Sequence, residues 1–323
     1  MVPYKVMVPN NRHVTFYICS SNRFESCHKI VSQLVYQSIK FNLQSFIKIV
    51  ILENGSSSGI SGKYRMLSKL SPKQIVVLNL KFSGLSYARN VALDIHKDKS
   101  YCYFLDDDVS LAKSDFLLQM HKLLSNSQPD IFGGPVNFVL KSKPASWFRE
   151  EWISRVYDSE VSKEIRFSGG NFGISPSVIE SQFKFDENLG MKGRKVRIGE
   201  EKDFIELLRI FRPNLSTLYS PDLSVLEVFD KRKLSLIYRI RREFAVGYAH
   251  HASYSSLVNK KIFVSFARIK PTNLKYAWEY SSKNFIPVKH SLSKTQNSNN
   301  IFILILTISR CIGLFLRKLR WQV

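Results

Sequence analysis

A doubly wound, Rossmann-like α/β fold with a mostly parallel sheet is what this sequence predicts, and three observations carry the prediction. Short apolar runs rich in β-branched and aromatic residues alternate with stretches of helical periodicity over the first hundred residues. Each run closes on a polar or turn-forming cluster. The chain is also long enough to bury a full core, with 323 residues of which 44% are hydrophobic and 13% aromatic.

The elements follow in order. The run "VTFYIC" from Val14 to Cys19 reads as a strand and ends in polar "SSNR". From Cys27 to Ile39 the spacing of Ile30, Val31, Leu34 and Val35 predicts a helix. A second buried strand, "FIKIVIL", runs from Phe46 to Leu52 and is closed by "ENGSSSG". "KQIVVLNL" is a third strand, "LSYARNVALDIH" a helix and "SYCYFL" a fourth strand. Beyond Lys231 the pattern turns helical and basic, and the Ser/Asn/Lys-rich stretch near residues 290–300 reads as a linker.

Charge is unevenly spread. From Lys231 to the end there are 18 Lys/Arg against two acids, whereas the preceding residues carry 30 against 24. A polycationic end suggests an anionic partner, nucleic acid or a lipid surface, though a basic face can also be merely solvated. No zinc-finger, RNP or recognition-helix pattern accompanies it, and the basic residues flank apolar runs, so nucleic acid is not expected. The last segment, "IFILILTISRCIGLFLRKLRW", is interrupted by Arg310 and short for a membrane span. On a helix Arg310, Gly313, Arg317 and Arg320 share one stripe, which favours a helix lying in an anionic membrane surface over one docked on the chain's own core or in a dimer. Cys19, Cys27, Cys102 and Cys311 form neither a metal spacing nor a disulfide framework. With no signal-peptide pattern at the start, the expected location is cytoplasmic, at the inner face of the cell membrane.

In open α/β sheets ligands sit beyond the carboxyl ends of the strands. Three polar clusters fall there: Ser20 to Arg23, Glu53 to Ser58, and Asp106 to Asp108. The Asp-x-Asp pair Asp106 and Asp108 offers two oxygen ligands to a hard cation, and Mg²⁺ and Mn²⁺ commonly share such carboxylates with substrate phosphates. Alone the pattern is weak, because acid runs are often solvated or cap a helix.

Six stretches in order, "ILENGSS", "GLSYARNVAL", "FLDDDV", "SGGNFGIS", "FDENLG" and "GEEKDF", resemble the inverting glycosyltransferases of family 2. The resemblance runs from about Val14 to about Gly247 and implies the nucleotide-sugar-binding GT-A fold with a basic helical C-terminal extension. It implies a catalytic domain over residues 1–230, completed by a basic helical region at 231–299, while residues 300–323 are the membrane-associated segment by their own apolar and basic pattern. Glu53, followed by Asn54, stands where members hold the nucleotide base, and Arg89, in Ala-Arg-Asn, would lie along the nucleotide. Ser20 and Arg23 join this nucleotide side. Asp106 matches the residue near the ribose and metal, Asp108 the direct metal ligand, and Asp107 the variable place between them. Gly169, Gly170 and Asn171 shape the acceptor side, with Asp203 as a further acceptor contact.

Departures from the family pattern are also visible. "CSS" at 19–21 replaces the usual Pro-Thr. Glu200-Glu201 replaces Glu-Asp, so Glu201 takes the place of the catalytic base. Glu227 stands where a metal-completing His commonly follows. The implied chemistry is transfer of a sugar from a nucleotide sugar, a UDP-sugar, to a hydroxyl of a glycan or lipid-linked glycan in cell-surface polysaccharide assembly. Mn²⁺ or Mg²⁺ would offset the charge of the departing diphosphate, assisted by Arg241 or Arg242. A Glu of ordinary pKa, about 4.3, is ionised at neutral pH and suits a base. Two rivals share features: a nucleotidyl or phosphate-group transferase using the same acidic pair, and a non-enzymatic protein binding an anionic polymer.

Overall fold

The structure is a computed structural model that describes residues 13–148, 167–193, 195–229 and 231–259, and near the C-terminus 305–306, 308–309 and 311–312. It divides into two compact units. One comprises Met1–Val139, Glu151–Phe185 and Leu215–Val228, the other Leu140–Glu150, Asp186–Asn214 and Phe229–Val323.

The first unit is built on a seven-stranded sheet. β1 (Val14–Ser20), β2 (Ile47–Glu53), β3 (Ile75–Asn79) and β4 (Tyr101–Asp106) are the four strands expected from the alternating apolar runs. They pair in parallel in the order β3-β2-β1-β4. The sheet continues through β8 (Asn171–Ile174), β6 (Ile131–Gly133) and β9 (Thr217–Tyr219), where β8 runs antiparallel to both neighbours. A second sheet joins β5 (Val109–Leu111), β10 (Val225–Phe229) and β7 (Val136–Leu140). Strand residues are buried on both faces, as parallel strands covered by helices require.

On one face Phe16, Ile18, Ile49, Ile51 and Tyr103 pack with Ile30, Val31 and Leu34 of α1 (Phe24–Lys40) and with Phe116 and Met120 of α4 (Phe116–Asn126). The opposite face carries Tyr17, whose hydroxyl meets His96 just after α3 (Leu85–Ile95). Helices therefore cover both sides, as a doubly wound sheet demands. Several elements go beyond the sequence reading, two of them beside the strand ends. β8 inserts antiparallel, and α2 (Ser58–Tyr64) forms within the Gly/Ser-rich stretch, anchored by the fully buried Tyr64. Short α5 (Pro176–Glu180) starts on Ser175, whose hydroxyl accepts from the Val178 amide.

The second unit holds α6 (Glu200–Phe211) and α7 (Leu236–Asn259), confirming a helical continuation past Lys231. The linker expected near 290–300 lies outside the described residues. The described part of the last segment is helical. Leu306 and Ser309 are buried, and the Ser309 hydroxyl donates to the Ile240 carbonyl of α7 at 2.9 Å. Ile308 and Ile312 are exposed. Arg310, Gly313, Arg317 and Arg320 lie outside the described residues. Among the described residues no helix is long and apolar enough to cross a membrane.

Candidate active site

Strand register places the site. β1 and β2 are aligned so that Ser20 faces Glu53, and β1 and β4 so that Cys19 faces Asp106. The three polar clusters thus meet along one edge, because parallel strands of matched length end together. Asn54 continues the alignment: its amide donates to the Ser20 carbonyl at 2.8 Å, and its side-chain oxygen accepts from the Gly84 amide at 2.9 Å.

At the end of β1 the Ser20 hydroxyl donates to Asp107 Oδ2 at 2.6 Å and lies 2.7 Å from the Tyr64 hydroxyl. A serine has one proton to give, so Tyr64 is the donor in the second contact. Tyr64 in turn accepts from the Arg23 amide at 3.1 Å. The Arg23 guanidinium reaches Asp107 at 3.1 Å and Asp108 at 2.7 Å. Asp107, in the variable place of the family pattern, is therefore bonded through both carboxylate oxygens. It is 5% exposed and is held by both Ser20 and Arg23.

Glu53 is buried, and its carboxylate accepts from the Ser56 amide at 2.5 Å and the Ser61 hydroxyl at 2.9 Å. Whatever it offers a nucleotide, it also ties β2 to the loop and helix that follow. Arg89 is 1% exposed, its guanidinium carbon 5.7 Å from the ring centres of both Phe104 and Phe185, which pack edge to face against each other. Its guanidinium donates to the Gly169 carbonyl at 2.7 Å and approaches Asp106 at 3.5 Å. Gly170 lies against the same carboxylate; a side-chain carbon there would collide with Asp106. Asn171 is fully buried, accepting from the Tyr103 hydroxyl at 2.7 Å and donating to the Leu223 and Gly134 carbonyls at 2.7 and 3.0 Å. Its amide is directed inward, toward the carbonyls of Gly134 and Leu223.

Burial raises Asp106 above the usual carboxylate range; Arg89 opposes the shift, and Asp108, Asp107 and Glu227 add to it. The side chain keeps 39% of its surface accessible, so water screens part of this repulsion. Burial likewise raises Asp107 to about 6 against the pull of Arg23. Glu227, opposite Val109 across β10 and β5, contributes to the same negative field. Among the described residues no three carboxylate, imidazole or thiol groups converge into a ready-made metal cluster. The chemistry of Asp106 and Asp108 nonetheless fits a hard divalent cation, with phosphate and water oxygens completing the shell.

In the second unit Glu200, Glu201 and Asp203 form the first turn of α6, where the helix dipole favours acids. Gly199, at φ 93°, precedes them, and a side chain there would press on Ala249 of α7. Glu200 and Asp203 are buried while Glu201 is half-buried, so of the three Glu201 is the most open to a substrate. On α7 Arg241 is exposed and Arg242 half-buried. Sequence reading missed Arg239, which is buried in the same turn and pairs with Glu243 at 3.5 Å. The i, i+4 spacing of Arg239 and Glu243 was the available signal.

The fold and site are those of an α/β protein whose parallel strand ends gather acids, a buried arginine and a glycine turn. The chain belongs to glycosyl transferase family 2, whose family model matches residues 15–180. No curated protein matches the sequence. Among solved structures it is similar to the mannosyltransferase PcManGT from Pyrobaculum calidifontis in complex with GDP-Man and Mn²⁺. That likeness has 13% identity and a TM-score of 0.58, over 93% of this chain and 87% of that one. It is also similar to S. aureus TarS 1–349, with 12% identity and a TM-score of 0.52 over 94% and 81% of the two chains. A third likeness is to GalNAc-T7 with UDP, GalNAc and Mn²⁺, at 14% identity and a TM-score of 0.51, over 84% of this chain and 55% of that one. Such distant likenesses carry the fold, which is GT-A. The protein is a glycosyltransferase.

Proposed function

We propose that the enzyme transfers the sugar of a UDP-sugar to a hydroxyl of a glycan or lipid-linked glycan, inverting the anomeric configuration in one displacement. Cell-surface polysaccharide assembly at the inner membrane face is the setting that this reading implies. The observation supporting it most is the aligned strand ends that bring Ser20, Glu53 and Asp106 to one edge in a family 2 chain. Ser20, Arg23, Glu53, Asn54 and Arg89 bind the nucleotide. Asp106 and Asp108 hold Mn²⁺ or Mg²⁺, with Glu227 reinforcing the negative field. The bound ion supplies Lewis-acid stabilisation of the diphosphate's developing charge.

The chain's own groups do the rest. Arg241 or Arg242 neutralises the departing diphosphate, and Arg89, packed against the Phe104–Phe185 ring pair, keeps a constant positive charge beside Asp106. Glu201 accepts the acceptor hydroxyl's proton as that oxygen attacks the anomeric carbon. Gly169, Gly170, Asn171 and Asp203 shape the acceptor side. Residues 1–230 and 231–299 together make the catalytic part, and residues 300–323 contact anionic lipid.

Glu201→Gln tests the reading. Transfer should fall by about a thousandfold, in the range of a lost general base, while UDP still binds with Mn²⁺ by calorimetry. Full transfer by this variant would remove Glu201 from the base role. Retained Mn²⁺–UDP binding in Asp108→Ala would remove the metal assignment.

A further inference from the structure

Arg23 lies across two of the three acids. Its Nη1 atom is 3.1 Å from Asp107 Oδ1 and 2.7 Å from Asp108 Oδ2. The Arg23 side chain is 41% exposed, Asp107 7% and Asp108 24%. These exposures differ in consequence. The guanidinium can leave toward solvent at little cost, whereas the buried Asp107 carboxylate needs a counter-charge wherever Arg23 goes. Asp108, which the proposed function assigns to the metal, thus already carries a cation belonging to the chain. A divalent ion and a guanidinium drawing on one carboxylate repel each other across it.

We propose that Arg23 is a built-in counter-cation that holds the acidic pair closed to free metal until the donor's diphosphate draws the guanidinium away. A diphosphate offers Arg23 a bidentate partner of higher charge than one carboxylate. Its transfer from Asp108 to phosphate oxygen frees that carboxylate, and the incoming ion replaces the lost positive charge beside Asp107. Metal and nucleotide then enter together, and metal alone binds poorly. Tyr64 fixes the backbone of Arg23 through its amide, so the exchange involves the side chain only. The inference rests on Asp106 and Asp108 being the metal site.

Calorimetric titration of the full chain with MnCl₂, with and without UDP or pyrophosphate, tests it in wild type, Arg23→Gln and Arg23→Lys. Without nucleotide, Arg23→Gln should bind Mn²⁺ about tenfold more tightly than wild type, equivalent to about 1.4 kcal/mol. The same variant should bind metal-free UDP and pyrophosphate about tenfold more weakly. Arg23→Lys keeps one charge but loses the planar guanidinium whose Nη1 reaches both carboxylates, so its Mn²⁺ affinity should fall between. It supplies the comparison if the glutamine variant does not fold. Equal or weaker Mn²⁺ binding in the folded variant overturns the proposal. Tighter Mn²⁺ binding with unchanged diphosphate affinity overturns the hand-over to phosphate. If wild type and variants bind no Mn²⁺ even with UDP, the metal site itself is wrong and the inference falls with it.

Discussion

Asp107 shows how residue identity and residue role part company. In sequence it separates two useful acids; in the structure it is the one most firmly bonded, because Ser20 and Arg23 converge on it from 84 or more positions away. No local pattern contains that information. Asn171 repeats the lesson. The Gly-Gly-Asn string was legible, but the direction of its amide depends on Gly134 and Leu223. Replacing Asn171 by Leu leaves those buried carbonyls without a donor, and a loss of about 2–4 kcal/mol in urea unfolding is expected. Gly170→Ala makes a different demand. Its methyl group must displace the Asp106 carboxylate or the turn, each an overpacking cost of about 1–3 kcal/mol. Weakened Mn²⁺–UDP binding by calorimetry is the expected result, and unchanged affinity would show that the turn yields freely.

Elements were the most legible scale. The first four strands and the helices α1 and α3 follow from apolar spacing, because burial on one or both faces imposes a period that sequence must display. Helix α2 was not legible, since Gly59 and Gly62 argue against a helix; burial of Tyr64 outweighs that preference. The turn after α3 carries a further consequence. His96 is buried, with Nδ1 3.1 Å from the Tyr17 hydroxyl and Nε2 2.9 Å from the Ser100 carbonyl. Burial lowers its pKa in the fold. The unfolded chain, with an ordinary value of about 6.5, therefore takes up the proton first as pH falls. Stability contributed by neutral His96 is present above that value and is lost as pH falls through the lower folded one. The melting temperature should drop between pH 8 and pH 5, and His96→Asn should flatten the drop. His121, also lowered by burial, accounts for part of what persists. An identical slope in the variant would assign the whole effect elsewhere.

At the scale of the molecule, composition showed where the positive charge lies but not what the last segment rests on. Leu306 and Ser309 are buried, Ser309 bonds to α7, and Ile308 and Ile312 face outward. The sequence offered a lipid surface and the chain's own core as alternatives; the described residues show a helix with one face on α7 and another open. The double variant Ile308→Ser, Ile312→Ser should reduce binding to anionic vesicles several-fold in a sedimentation assay, because each removes exposed apolar area. Its melting temperature should stay near that of wild type, since neither side chain is buried. Undiminished vesicle binding would move the lipid contact to another part of the chain.

Ser20, Tyr64, Asp107 and Arg23 form a closed chain of bonds linking three separate stretches of polypeptide. Swapping Ser20, Tyr64 or Asp107 strands its partners, whereas a change at Arg23 leaves its backbone bond to Tyr64 in place. Directed evolution of this enzyme should randomise the quartet jointly, and surviving clones should carry correlated changes.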